Sequence, residues 1–182
     1  MPAVETPVEK WNGRIYEVRL GGKGRKEVVV GGENTLPFLH FEGSIPHPPV
    51  VAVEVQDTEP QDWPEPLLQA WGDALKDPAI WAKKAVEAGA SLIALRLKSA
   101  HPEAGNTGPE ETKRVVSAVL EAVDVPLVVL GPEVAEKDNE VLVAASEAGR
   151  GQRIALGNCE DKNYRTIAAT CIADDQVAIG KT

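Results

Sequence analysis

Residues 78–97 read PAIWAKKAVEAGASLIALRL and contain one complete helix–strand unit. Asp77 belongs to the residue types that cap helix N-termini, Pro78 suits the first helical position, and Gly89 suits the position just after a helix ends. The run LIALRL at 92–97 is short and almost continuously apolar, which is typical of a strand in a parallel sheet. The stretch therefore predicts a helix over 78–88 and a parallel strand after it.

The same alternation continues on both sides of this unit. Further strands are predicted at VVAVEV (50–55), PLVVLG (126–131), RIALGN (153–158) and QVAIG (176–180). Further helices are predicted over 109–123, from Asp138 or Asn139 to Ala148, and along a face formed by Tyr164, Ile167, Ala168, Cys171 and Ile172. Alternating strands and helices predict an α/β fold in which helices cover a parallel sheet.

The segment before residue 50 lacks this alternation. RIYEVRL (14–20) and KEVVV (26–30) flank the glycine-rich GGKGRK (21–26), a pattern that predicts a β-hairpin. A connector without periodicity follows and ends in IPHPP (45–49). We therefore expect a β-hairpin extension with a proline-rich connector over 1–49 and the α/β part over 50–182.

The length of the α/β part decides between two parallel architectures. A complete (β/α)8 barrel takes about 250 residues, or about 30 per unit, so residues 50–182 accommodate about four units and the start of a fifth strand. A doubly wound sheet would usually carry a glycine-rich phosphate turn after its first strand, where this chain has QDTEPQDWPEP (56–66). The expectation is a TIM (β/α)8-barrel family fold with only the first half of the barrel present, from a split gene or a fragment. Such a half barrel leaves open sheet edges, which predicts marginal stability or self-association.

Composition excludes several classes of protein. The chain has 28 acidic and 19 basic residues, a net charge of −9, which argues against a nucleic-acid partner. No apolar run reaches the roughly 18–20 residues that span a bilayer, and Met1–Lys10 lacks the apolar core of a signal peptide. With only Cys159 and Cys171, we expect a cytoplasmic protein with reduced thiols and no membrane partner.

Ligands of parallel α/β folds bind at the carboxyl ends of the strands, so the loops after the predicted strands are the candidate site. These loops offer amides, hydroxyls and glycines, which favours a neutral, amide-decorated or heterocyclic ligand over a phosphate. Asp57 is read as a general acid/base, a pterin ligand or a capping aspartate. Asn106 and Thr107 are read as helix caps, because Thr107 and Glu110 have capping-box spacing. His101 has no second ligand at metal spacing and is read as a surface histidine.

An ordered set of segments resembles a known family. The segments are WNGRIYEVRLG (11–21), VGGENTLPFLHFEG (30–43), NTGPEET (106–112), EKDNEVLVAASEA (136–148) and GNCEDKNYRTIAATC (157–171). Together with the stretch from 48 to 97, they are similar to the small (delta) subunit of the corrinoid iron–sulfur protein of the acetyl-CoA decarbonylase/synthase system. The resemblance implies a TIM barrel preceded by a small β extension.

The resemblance also implies a function and a site. It implies a heterodimer with a large subunit that carries the Fe–S cluster, and a corrinoid (cobalamin) shared between the two subunits at the mouth of the barrel. A pterin methyltransferase would deliver a methyl group from methyl-tetrahydropterin, and acetyl-CoA synthase would receive it, as in the Wood–Ljungdahl pathway. No catalytic residue or metal ligand is assigned to this chain. The positions that map to the barrel mouth are Asp57, Ser99, His101, Asn106, Thr107, Gly131 and Asn158.

Two other functions stay open on the sequence. A pterin-binding methyltransferase of related barrel type would use Asp57 and the asparagines at the mouth to hold the pterin. A non-catalytic half barrel would pair with another half to complete a fold. The predicted N-terminal hairpin favours the corrinoid protein subunit over the methyltransferase.

Overall fold

The computed structural model describes residues 4–181. The chain divides into two compact units. One unit consists of the residues up to Arg19 together with Val29–Val50, and the other of Leu20–Val28 together with the residues from Val51 onwards. Each unit is described by itself below.

Two short strands lie in the N-terminal part of the chain. β1 (Val18–Leu20) and β2 (Val28–Val30) form a two-stranded sheet. The first unit otherwise contains little regular structure apart from a 3-10 turn at Pro37–Leu39. The strand predicted from Arg14 onwards is shorter than expected, although the Ile15 N–H donates to the Glu33 carbonyl at 2.7 Å.

Five parallel strands form the centre of the second unit. They are β3 (Ala52–Gln56), β4 (Leu92–Arg96), β5 (Leu127–Leu130), β6 (Ala155–Cys159) and β7 (Val177–Gly180). Their order in the sheet is β3-β4-β5-β6-β7, so each strand pairs with the next one in the chain. The predicted parallel α/β sheet is therefore confirmed, with strand boundaries within about two residues.

The strand order rules out a doubly wound sheet, because such a sheet reverses its order at a switch point. Right-handed connections between consecutive neighbours place all the helices on one face of the sheet. Burial agrees with this arrangement: Val55, Leu95 and Val129 are fully buried in the core cluster on that face. On the other face Glu54 is exposed and Ala94 is half-buried. This arrangement is compatible with part of a TIM-like fold.

The helices that cover the sheet are α1 (Glu65–Trp71), α2 (Pro78–Glu87), α3 (Pro109–Ala122), α4 (Ala135–Ala148) and α5 (Tyr164–Asp174). The α2 prediction is confirmed in detail, since the Asp77 carboxylate accepts the Ala79 and Ile80 N–H groups at 2.8 and 3.1 Å. The sequence did not predict α1, which follows the acidic, proline-containing stretch 56–64. Trp71, at the end of α1, packs against the buried Trp81 at 6.1 Å between ring centroids.

The predicted start of α3 at Pro109 is confirmed, but its predicted caps and the predicted start of α4 are wrong. The N-cap of α3 is Gly108 and has no side-chain cap, whereas Asn106 and Thr107 were expected to cap this helix. α4 begins at Ala135, at least three residues before the predicted start at Asp138 or Asn139. Its N-cap, Val134, has no side-chain acceptor and so leaves no capping signal in the sequence.

The turn between β1 and β2 is hydrogen-bonded to segments at the amino-terminal edge of the five-stranded sheet. Within the second unit, the Gly21 N–H donates to the Arg153 carbonyl at 3.1 Å. The Arg25 guanidinium donates to Gln152 Oε1 at 2.6 Å and to the carbonyls of Val123 and Leu120. These two carbonyls belong to the last turn of α3, where a cation also interacts favourably with the helix dipole. Burial lowers the pKa of Arg25.

None of the helices within residues 4–181 combines the length and the apolar character that a membrane crossing requires.

Candidate functional site

The candidate site lies at the carboxyl edge of the parallel sheet. Asp57 directly follows β3, Ser99 comes three residues after β4, and Gly131 directly follows β5. Asn158 is the second-last residue of β6. Because the strands are parallel and in register, these positions come together at one edge. This is the edge at which parallel α/β folds bind their ligands.

Asp57, Ser99 and Thr107 form one hydrogen-bonded cluster. Asp57 Oδ1 accepts the Ser99 N–H at 2.9 Å, and Oδ2 accepts the Ser99 hydroxyl at 2.5 Å. Ser99 Oγ lies 2.7 Å from Thr107 Oγ1, and the Thr107 N–H donates to the Ser99 carbonyl at 3.0 Å. Burial raises the pKa of Asp57, while the hydrogen bonds from Ser99 act to lower it. The cluster ties the end of β3 to the loop between β4 and α3.

A cleft of about 390 Å³ opens beside this cluster. One wall is the segment 58–62 after β3, and the opposite wall is the turn 131–133 after β5. Arg96, Lys98 and His101 line the cleft between these walls. Of the seven predicted site positions, His101 and Gly131 line the cleft.

Glu133 connects the strand ends on one side of the cleft. Its Oε1 accepts from Arg96 at 3.4 Å and from Asn158 Nδ2 at 3.2 Å, and its Oε2 lies 3.8 Å from Lys181 Nζ. Arg96 also donates to Glu54 Oε2 at 3.1 Å. The contacts form a polar network that runs from β3 to the residue after β7, and Glu133 is a member that the sequence did not single out.

Asp138 is a second residue that the sequence did not single out for this site. Its side chain is only 3% exposed, because α4 begins early enough to place it behind the turns after β5 and β6. Asp138 Oδ1 accepts the Glu133 N–H at 3.2 Å, and Oδ2 accepts from Asn163 Nδ2 at 3.3 Å. Burial raises the pKa of Asp138 to about 6. An acidic residue near a helix start resembles an ordinary cap, so the sequence holds no separate signal for this role.

The predicted positions Asn106, His101 and Gly131 have different local surroundings. Asn106 is exposed in the loop before α3, with a φ of 48°. His101 Nδ1 accepts the Glu103 N–H at 3.1 Å, which fixes the orientation of the imidazole ring. Gly131 is buried, and a Cβ at this position would lie 2.1 Å from Asp138 Oδ1. Gly131 therefore permits the close approach of a carboxylate from behind the site.

Metal-ligating chemistry is sparse in residues 4–181. This part of the chain contains no group of three or more His, Cys, Asp or Glu side chains that could hold a metal ion. Both cysteines are free and buried, and burial raises the pKa of the Cys171 thiol to about 11 and also raises that of Cys159. Neither thiol is therefore poised to ionise at neutral pH.

Comparison with known proteins shows the family. The sequence profile described as the CO dehydrogenase/acetyl-CoA synthase delta subunit matches residues 17–179. The chain belongs to this delta-subunit family.

Several curated relatives share this assignment. The acetyl-CoA decarbonylase/synthase complex subunit delta of Methanothermobacter thermautotrophicus is 37% identical over 176 residues, which cover 94% of this chain and 45% of that protein. The corresponding subunit of Methanocaldococcus jannaschii is 36% identical, covering 94% of this chain and 44% of that protein. The subunit of Archaeoglobus fulgidus is 38% identical, covering 88% of this chain and 37% of that protein. The chain thus spans less than half the length of these delta-subunit relatives.

Proposed function

We propose that this chain contributes the small-subunit side of a corrinoid-binding site in an acetyl-CoA decarbonylase/synthase complex. In this proposal, the five-stranded sheet is part of a (β/α)8 barrel whose mouth is the cleft edge. The chain pairs with a large subunit that carries the Fe–S cluster and holds the remainder of the corrinoid. A pterin methyltransferase and acetyl-CoA synthase act as transient partners. Membership of the delta-subunit family supports the pathway.

The chemistry of the cleft fits one edge of a corrinoid. A corrinoid is a broad macrocycle with a rim of neutral carboxamides and methyl groups. The cleft, at about 390 Å³, lies at the lower end of the range for small-molecule sites. It can therefore seat only part of such a ligand, as expected for a cofactor that two subunits share.

The side chains around the cleft suit carboxamide groups. Thr58, Gln61 and Lys98 present a hydroxyl, a carboxamide and an ammonium group, all of which can pair with amides. Ala104 and Pro132 add small apolar surfaces. When bound, a corrinoid supplies a cobalt centre that carries a methyl group. The residues of this chain bind and orient the rim, and none of them needs to transfer a proton.

The single observation that carries the proposal is the cleft at the carboxyl edge of a parallel sheet in a delta-subunit family chain. Its test is to fill the cleft. Ala104 is exposed and lines the cleft, so Ala104→Trp occupies its volume without disturbing the core. Ala88, at the end of α2, is also exposed and outside the cleft, which makes Ala88→Trp a matched control.

The experiment co-purifies each variant with the large subunit and measures the affinity for aquocobalamin by absorbance titration. We expect Ala104→Trp to weaken binding by at least about tenfold, equivalent to about 1.4 kcal/mol, and Ala88→Trp to leave it unchanged. Equal affinities for both variants would contradict the proposal. Binding of methyl-tetrahydropterin by this chain without any partner would instead favour a pterin methyltransferase.

A further inference from the structure

Asp138 connects two loops of the site from behind. Its Oδ1 accepts the Glu133 N–H in the turn after β5, and its Oδ2 accepts from Asn163 Nδ2 in the turn after β6. Gly131 has no Cβ, which leaves room for the carboxylate between the two turns. Each carboxylate oxygen thus holds a donor from a different loop.

The two donors, the Glu133 N–H and the Asn163 side-chain amide, are both conformationally constrained. Glu133 has a φ of 64°, in the left-handed region that costs a non-glycine residue free energy, so its backbone requires an anchor. The Asn163 carboxamide is 2% exposed and makes two further contacts. Its Nδ2 donates to the Asn158 carbonyl at 3.0 Å, and its Oδ1 accepts the Glu160 N–H at 2.6 Å. The orientation of this amide is therefore fixed from three directions.

The two loops carry the polar network of the cleft. The Glu133 side chain, which lines the cleft, accepts from Arg96 and Asn158. Displacement of the Glu133 backbone would move this carboxylate, and rotation of the Asn163 amide would release the carbonyl of Asn158. Asp138 therefore acts on the cleft through Glu133 and Asn158 without lining it.

We infer that Asp138 is a positioning residue whose ionised carboxylate sets the geometry of the two cleft loops and whose protonation changes that geometry. The role in the loops stands on the contacts above, and only the identity of the affected ligand rests on the proposed corrinoid function. A protonated carboxyl carries one O–H donor, but both oxygens of Asp138 face donors. To accept that O–H, the Asn163 amide must turn and give up its bonds to the Glu160 N–H and the Asn158 carbonyl.

The burial of Asp138 and the charges around it bring its pKa close to neutral pH. Burial raises the pKa of Asp138 to about 6, the hydrogen bonds from Glu133 and Asn163 oppose the rise, and the charges of Glu160 and Glu133 add to it. The Cys159 thiol is also close enough for the Asp138 charge to raise its pKa. Lys181 pairs with Glu133 and Glu160 at 3.8 and 3.3 Å and so offsets part of their charge.

Nuclear magnetic resonance of the full chain tests the inference. The Glu133 backbone amide and the Asn163 side-chain amide are followed from about pH 7.5 to about pH 4.5. We expect both to titrate together with a midpoint near 6 in the wild-type chain. Asp138→Asn should abolish that transition. Glu136→Gln, an exposed charge in the same turn of α4, should retain it. The inference is overturned if neither amide titrates, or if Asp138→Asn titrates like the wild type.

A second variant keeps the test decisive if Asp138→Asn does not fold. Asn163→Ala removes one hydrogen bond that lowers the Asp138 pKa, so the Glu133 transition should move to higher pH. An unchanged midpoint would overturn the inference.

A separate measurement tests whether Asp138 affects ligand binding in the cleft. With the large subunit present, aquocobalamin affinity should change across the same pH range in the wild type and stay level in Asp138→Asn. Constant affinity in both chains, with the loop titration intact, overturns the link to the cleft. Absence of binding at every pH, with the loop titration intact, refutes the proposed corrinoid function and leaves the positioning role standing.

Discussion

The raised pKa of Asp138 makes a quantitative prediction about stability. Asp138 has a folded-state pKa of about 6, against an ordinary value of 3.8, because burial disfavours its charged form. The folded chain therefore binds this proton more tightly than the unfolded chain does. The group contributes stability that is fully present below the unfolded pKa and is lost as the pH rises through about 6.

The size of this contribution follows from the two pKa values. The complete difference between the folded-state pKa of Asp138 and its ordinary value corresponds to about 3 kcal/mol of unfolding free energy. Between about pH 7.5 and about pH 5 only part of the transition is crossed, and the linkage relation assigns about 1.4 kcal/mol to it. Asp57 shifts in the same direction, whereas the pKa values of Glu111 and Asp174 are lowered by their arginine partners and act in the opposite direction. The wild type alone therefore cannot isolate the effect of Asp138.

Comparison of the wild type with Asp138→Asn isolates the contribution of Asp138 to stability. Urea unfolding is followed by tryptophan emission, which is dominated in the second unit by Trp63, Trp71 and the fully buried Trp81. The stability of the wild type relative to Asp138→Asn should increase by about 1.4 kcal/mol on moving from about pH 7.5 to about pH 5. Glu136→Gln should show no such change relative to the wild type. If the difference in unfolding free energy between the wild type and Asp138→Asn is the same at both pH values, burial does not raise the pKa of Asp138 and the reasoning is refuted.

Two substitutions test the packing around the sheet. Arg25→Ala leaves the Val123 and Leu120 carbonyls without their donor, so it should lower the unfolding free energy in urea by about 2–3 kcal/mol. Lys26→Ala loses only an exposed ion pair and, as the control, should lower it by less than about 1 kcal/mol. Gly131→Ala places a methyl group 2.1 Å from a carboxylate oxygen and should lower the thermal midpoint by an amount equivalent to about 2 kcal/mol. At Gly180 no heavy atom lies within 4 Å of an added Cβ, so an unchanged midpoint in Gly180→Ala is the expected control.

Local sequence patterns were sufficient to predict the parallel sheet. The apolar runs at 92–97 and 126–131 coincide with strands within about one residue, because burial by helices leaves such strands few polar positions. The start of α2 was also predictable, since Asp77 and Pro78 act through neighbouring backbone groups. The start of α3 at Pro109 was predicted as well, although not its cap, Gly108. The start of α4 was not predictable, because Val134 provides no capping side chain.

The candidate site was predictable only in part. The rule that ligands meet strand ends brought Asp57, Ser99 and Thr107 to one edge, where they form a single cluster. The sequence could not distinguish a residue that lines the cleft from one that supports it, because that difference depends on side-chain direction. Glu133 was missed for the same reason, since its three contacts come from strands far apart in the chain.

The sequence by itself determined the alternation of strands and helices and the resemblance to the delta-subunit family, and it indicated the carboxyl ends of the strands as the candidate site. These properties depend on local periodicity and on chain order, both of which are written along the sequence. Only the tertiary structure decided the role of Asp138. Its burial, its two donors and its elevated pKa arise where the turns after β5 and β6 converge on α4. A carboxylate acquires such properties from neighbours brought together by folding, and no spacing along the chain encodes them.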